Sequence, residues 1–296
     1  MTSTEYALRL RPGRIDDADT VGKIIFDAFS AIADKHGFQR EFPSVDTGRG
    51  LAFSFLSNPG FYSVVAEGTI GEDEGRIVGS NFLDERSNFV VGVGPITVDP
   101  KYQNNGTGRQ LMIDLLERAK IKNYPAVRLL QASYHNRSLA LYASLGFEVR
   151  EPISTLQGKP IRGVFPGRSV RIATESDVES CNAICKAVHG HDRNGELRDS
   201  IKQGSAKVVL HGGIITGYTC GLTYFNHSVG LANDDLKALI SSATDYGGPG
   251  ILIPTRNARL FRWCLDNGLR LVHQLTLMTI GLYNEPTGFY MPSILY

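Results

Sequence analysis

The run Gln103-Asn104-Asn105-Gly106-Thr107-Gly108-Arg109 places two glycines one residue apart among polar side chains. Glycines at that spacing let the backbone approach a bound group closely and take angles that a Cβ forbids. The chemistry open to such a run is anion binding, with backbone N–H groups converging on a phosphate or pyrophosphate. For that it must lie between a strand and a helix, and its flanks agree. Gly94-Pro95-Ile96-Thr97-Val98-Asp99-Pro100 is short and apolar, with β-branched residues and a closing proline, and reads as a strand. After the run, Leu111, Met112, Leu115, Leu116 and Ala119 fall on one helical face. A helix opening there adds the N–H groups of its first turn and the positive end of its dipole. Asn-Gly is also a strong hairpin signal, but a hairpin needs an alternating strand after the turn, and residues 109–119 do not alternate. A Walker loop needs Gly-Lys followed by Ser or Thr, whereas Gly108 precedes Arg109 and Gln110; a Rossmann loop needs a third glycine.

Further along, Asn136-Arg137-Ser138-Leu139-Ala140-Leu141-Tyr142-Ala143-Ser144-Leu145-Gly146-Phe147 reads as a short helix. Asn136 is a good N-cap, apolar residues recur at helical spacing, and Gly146 suits the left-handed position that ends a helix. Ala126–Ala132 before it reads as a buried strand.

The pattern Gln103-x-x-Gly106-x-Gly108 at the end of a strand resembles the acetyl-CoA pyrophosphate motif of the GNAT superfamily of N-acetyltransferases. The helix around Tyr142 resembles a second feature of that family and follows at the family's distance. The resemblance covers residues from about 8 to 150. It implies an α/β (α+β) fold with a mixed, mostly antiparallel central sheet flanked by helices. It also implies transfer of an acetyl group from acetyl-CoA, as co-substrate, to a primary amine by direct attack in a ternary complex, without a metal. On it, Gln103, Asn104, Asn105, Gly106, Thr107, Gly108 and Arg109 hold the pyrophosphate. Backbone N–H groups at Ile96, Thr97 and Val98 polarise the thioester. Their strand bulges and splays from the strand at 126–132, and the disruptive Gly92, Gly94 and Pro95 fit a broken ladder. Asn136 hydrogen-bonds the pantetheine arm, Ser138 joins it as a cofactor contact, and Tyr142, also a cofactor contact, is the catalytic residue that protonates the leaving thiolate. By itself position 142 reads equally as a core aromatic.

A general base is not apparent. Relatives often carry a Glu on the strand before the loop, but residues 89–98 hold no carboxylate. Glu67, Asp84 and Glu85 lie near strand ends and His36 after the first helix, all reading as solvated turn residues. Relatives with this departure use water chains or accept an amine already neutral in part.

The chain repeats itself. At an offset of 160, Arg11, Asp17, Val21, Ile24, Ile25 and Ala28 align with Arg171, Asp177, Cys181, Ile184, Cys185 and Val188. At an offset of 121, Asn136 aligns with Asn257 and Tyr142 with Trp263. The chain therefore reads as two copies of one fold. Residues 1–150 form the catalytic copy, 151–168, rich in Pro and Gly, the linker, and 169–296 a degenerate copy. Between Tyr224 and Asp234 the second copy has Gly230 alone and no phosphate loop, and an indole cannot replace a phenol as donor to a thiolate. The expected division of labour has the second copy shaping the acceptor site without chemistry of its own.

Length and composition set the remaining bounds. The 296 residues are 42% hydrophobic with a net charge of +1. Neither half is strongly charged, with 17 Lys and Arg against 18 Asp and Glu in 1–150 and 14 against 12 in 151–296. No basic stripe argues for nucleic acid, no apolar run reaches the length of a membrane helix, and no signal-peptide layout opens the chain. All four cysteines, Cys181, Cys185, Cys220 and Cys264, fall in the second half and read as reduced core thiols; His189 and His191 do not complete a metal set with them. The expectation is a cytoplasmic protein, monomer or homodimer, acting on a small-molecule or protein amine. A non-catalytic acyl-CoA sensor and a transferase of longer acyl groups are the competing readings.

Overall fold

The computed structural model describes residues 7–70 and 73–296. The described residues form two compact units, one of those up to 85 with 91–127, the other of 86–90 with 128–296.

The first unit runs β1 (Leu8–Pro12), α1 (Ala18–His36), α2 (Val45–Ser57), β2 (Phe61–Gly68), β3 (Ile77–Asp84), β4 (Val90–Val93), β5 (Thr97–Val98) and α3 (Thr107–Ile121). Strands β1, β2 and β3 are antiparallel, with Leu8 opposite Gly68 and Phe61 opposite Asp84. β3 is buried along its whole length, and Leu111, Met112 and Leu115 of α3 are fully buried. Near one end β3 pairs with β4, Leu83 opposite Val93; nearer the other it pairs with β5, Ser80 opposite Thr97. The ladder is interrupted between them at residues 94–96, where the glycines and proline had pointed. Ile96 falls in this break, so the strand carries only Thr97 and Val98 of the three expected.

Helix α1 buries Val21, Ile24 and Ile25 and ends at Gly37, whose φ of 70° completes a left-handed cap. It crosses α2 where Gly22 meets Gly48. A Cβ on Gly22 would lie 2.3 Å from the Arg49 Cα, and one on Gly48 2.4 Å from the Gly22 carbonyl oxygen, so only glycine allows the backbones this close.

The second unit carries β6 (Ala126–Ala132, which starts at the boundary), α4 (Asn136–Ser144), β7 (Glu148–Gln157), β8 (Arg168–Ile172), α5 (Val178–His189), α6 (Asn194–Lys202), β9 (Lys207–His211), β10 (Ile214–Thr219), β11 (Ser228–Gly230), α7 (Asn233–Ser241), β12 (Ile251–Pro254), α8 (Ala258–Asp266), β13 (Arg270–Gly281) and β14 (Phe289–Met291). From β8 to β13 the order of elements repeats that from β1 to β7 with one strand fewer, β11 alone standing where the first copy has β4 and β5. The repeated residues do the same work. Arg11 grips Asp17 at 2.8 and 3.0 Å, and Arg171 grips Asp177 at 2.7 and 2.8 Å. Each aspartate also accepts a backbone N–H at 2.8 Å, from Arg14 and Thr174.

One sheet of this unit is ordered β14-β11-β10-β9-β8, and in the other β6, β13, β7 and β12 lie side by side. β7 and β13 are equivalent strands, following α4 and α8, and they have changed places. β13 stands beside β6, while β7 pairs antiparallel with both β13 (Ile153 opposite Leu275) and β12 (Ile153 opposite Pro254). Residues 151–157 of the expected linker are thus strand, not connection. Pro152, within the expected linker, lies near a register shift between Leu277 and Met278; a proline cannot donate to a ladder, and an irregularity accommodates it.

Candidate active site

In the first unit, β5 leads into a short 3-10 turn, Pro100–Tyr102, capped by Asp99, whose Oδ1 accepts the Lys101 N–H at 3.0 Å. The Gln103 side chain donates to the Val98 carbonyl at 3.0 Å and so ties the loop back to its strand. Asn104 and Gly106 both hold left-handed backbone, φ 70° and 81°. A Cβ on Gly106 would meet nothing within 4 Å, so the angle rather than crowding selects glycine there. Helix α3 starts at Thr107, and intrahelical pairing begins with the Gln110 N–H on the Gly106 carbonyl at 3.1 Å. Its first turn contains no acidic residue. Asn104, Asn105, Gly106 and Arg109 are exposed and Gly108 half-buried, while Thr107 is buried with its hydroxyl lacking a hydrogen-bond partner. Left-handed backbone at Asn104 and Gly106 ahead of an acid-free helix start can receive an oxyanion. On β5 itself, the buried Thr97 hydroxyl lies 3.2 Å from that of Ser80.

In the second unit, α4 carries the other predicted residues. His135, not Asn136, is its N-cap, and Asn136 is its first helical residue, exposed and without a cap bond. The Ser138 hydroxyl donates to Gln131 Oε1 at 3.0 Å and lies 2.9 Å from the His135 carbonyl oxygen, so it is engaged locally. Gly146, at φ 96°, closes the helix as expected, with the Phe147 N–H reaching back to the Tyr142 carbonyl at 3.1 Å. Tyr142 is buried, its ring edge-on to Phe147 at 6.0 Å. Burial alone raises its phenol above the ordinary value, so the proton stays on through neutral pH.

The counterparts in the second copy are built differently. At α7, which follows β11 as α3 follows β5, Asp234 and Asp235 occupy the first turn. The Asp235 carboxylate, buried, accepts the Ala232 N–H at 2.9 Å and bonds from Arg168 at 2.8 Å and Thr216 at 2.9 Å. A carboxylate of the protein's own fills the place and repels a phosphate. At α8, Asn257 is a true N-cap, accepting the Leu260 N–H at 3.4 Å and donating to Asn233 at 2.8 Å. Trp263 packs on Phe165 instead of presenting a phenol.

Two of the carboxylates weighed as bases are engaged by arginine. Arg11, then Arg9, holds Glu67 ionised, its carboxyl below the usual range despite some burial. Arg118 grips Glu85 at 2.8 and 2.7 Å. Arg128, in β6, has no role among the residues expected from the sequence. Its signal was there: one arginine inside the otherwise apolar Ala126-Val127-Arg128-Leu129-Leu130. All four cysteines are free and buried, and burial pushes the thiols of Cys181 and Cys264 up to about 12.

Residues 61–149 match the family model described as acetyltransferase (GNAT) domain. No curated protein matches the chain. Among solved structures it is similar to a Pyrococcus horikoshii protein assigned to the acetyltransferases, at 19% identity over 98% of this chain and 96% of that one, with a TM-score of 0.74. A GCN5-related N-acetyltransferase from Sphaerobacter thermophilus aligns at 14% identity over 94% and 96%, TM-score 0.62. A tandem GNAT protein from the clavulanic acid biosynthesis pathway aligns at 15% over 93% and 98%, TM-score 0.54. At these identities the likeness is one of fold. Residues 61–149 thus carry the match to the GNAT domain, and the chain as a whole has the fold of a tandem GNAT protein. Among the described residues no helix is long and apolar enough to cross a membrane.

Proposed function

We propose that this protein is an acetyl-CoA-dependent N-acetyltransferase of the cytoplasm, acting on a primary amine by direct attack in a ternary complex. Residues 1–150 are the catalytic copy in this reading, and 169–296 a copy without CoA. The observation that carries it is the contrast between two helix starts: α3 opens on left-handed backbone with no acid, α7 on a buried carboxylate already bound. Acetyl-CoA supplies the activated acetyl group. The backbone of 103–109 anchors its pyrophosphate, and the N–H groups of β5 not turned toward β3 are suited to polarising its carbonyl. The Tyr142 phenol, neutral and with no hydrogen bond of its own among the described residues, donates its proton as charge develops on sulfur. With Glu67 and Glu85 bound to arginines, the amine is taken to lose its proton to water or to arrive neutral.

The test is free-CoA release from acetyl-CoA across a panel of amines, with CoA binding measured by calorimetry. Binding with amine-dependent release supports the reading. Binding without release for any amine turns it into a sensor, and faster turnover with longer acyl thioesters moves it to a different donor.

A further inference from the structure

Three arginines and two tyrosines of the second unit form an alternating stack. Arg150 lies over the Tyr283 ring at 5.0 Å and Arg128 over the same ring at 5.1 Å. Arg128 also lies over Tyr296 at 3.9 Å, and Arg193 over that ring at 5.3 Å. The outer arginines each have a carboxylate, Arg150 with Glu148 and Arg193 with Glu196, both at 2.6 Å. The central one has none. Glu151, the further acid of this region, is taken by Arg256 at 2.7 Å and by the hydroxyls of Tyr283 and Tyr290. Arg128 is 1% exposed, and its Nε and Nη1 are buried without a hydrogen-bond partner.

A buried guanidinium without a counter-ion is costly, because cation–π contact with ring faces returns only part of the hydration it lost. Two tyrosine rings lie near the guanidinium carbon and supply no acceptor, so Nε and Nη1 remain open to one, and a carboxylate brings both the missing charge and acceptor oxygens. We infer that Arg128 is the recognition group for a carboxylate carried by the acceptor, so that the amine acetylated is an amino acid or another small amine with an acid group. The role as acceptor contact rests on the acetyltransferase reading; carboxylate binding at Arg128 does not.

Binding is measured first without acyl-CoA, by calorimetry of the full chain with acetate, propionate and benzoate against their amides and against inorganic phosphate. Carboxylates bind and amides do not, and Arg128→Gln weakens carboxylate binding about 10–100-fold, the range for a hydrogen-bonded charged pair. Arg128→Lys keeps the charge but not the fork and falls between; it also serves if Arg128→Gln does not fold. In acetyl transfer, amines paired with and without a carboxylate (β-alanine and ethylamine, lysine and cadaverine) then separate. Arg128→Gln raises KM for the acids with kcat held, and the preference for acids over plain amines narrows. Equal binding by wild type and both variants, or binding of phosphate but not carboxylate, overturns the inference. Carboxylate binding with no transfer to any amine leaves the site standing and removes the acetyltransferase reading instead.

Discussion

The Asp235 carboxylate bonds the Ala232 N–H at 2.9 Å and so closes the start of α7 that in α3 is free of acid. The expected consequence is one CoA per chain. Gly108→Glu brings a carboxylate to the α3 start and should abolish CoA binding while leaving the circular dichroism spectrum unchanged. A calorimetric stoichiometry of two, or unaltered affinity in the variant, would count against the assignment of the site to residues 103–109.

Tyr142→Phe removes only the phenolic proton from a buried ring. CoA affinity should hold and turnover fall by ~10²–10⁴-fold, the usual worth of general acid catalysis. Because burial raises this phenol, the wild-type rate should show no loss from its ionisation between pH 7 and 10. Full turnover in the variant would make the residue a core aromatic and leave thiolate protonation to water.

Truncation after Gly167 takes away β13, the strand between β6 and β7, together with β12 on the far side of β7. Both remaining strands then expose unpaired ladders. A chain of residues 1–167 should be insoluble or unfolded, although the sequence reads as if it were a domain. Recovery of a cooperatively unfolding, CoA-binding fragment would refute the exchange of β7 and β13 as a requirement for folding.

Burial holds His191 and His273 neutral, lowering each to about 4. Between pH 6.5 and 4 the unfolded chain then binds more protons than the folded one, so stability is full above about pH 6.5 and falls as pH drops through this window. Each histidine contributes at most ~1.4 kcal/mol per pH unit. Urea midpoints at pH 7 and pH 5 should differ, and His273→Gln should flatten the difference. A midpoint independent of pH over that range would show that these rings are reached by solvent.

Short-range features were legible without the structure. The strand, glycine loop and helix at 94–119, the left-handed close at Gly146 and the recurrence of Arg11 and Asp17 at Arg171 and Asp177 are features of residues close in the chain, where residue type decides the geometry. Boundaries shifted by one position, from Asn136 to His135 as cap, because neighbouring residues at a helix end differ little in energy.

What the tertiary structure decided depended on residues far apart. β7 takes its partners from residues 251–254 and 270–279, and no local pattern tells a proline-bearing strand from a linker when its ladder is supplied from 95 or more positions away. The same holds for Arg128: its type and its apolar strand were visible, but only folding could bring Tyr283 and Tyr296 against it and direct each nearby carboxylate to another arginine. Local propensity determined the elements and the glycine loop, whereas strand exchange and the unpaired central arginine follow from which surfaces must be buried together.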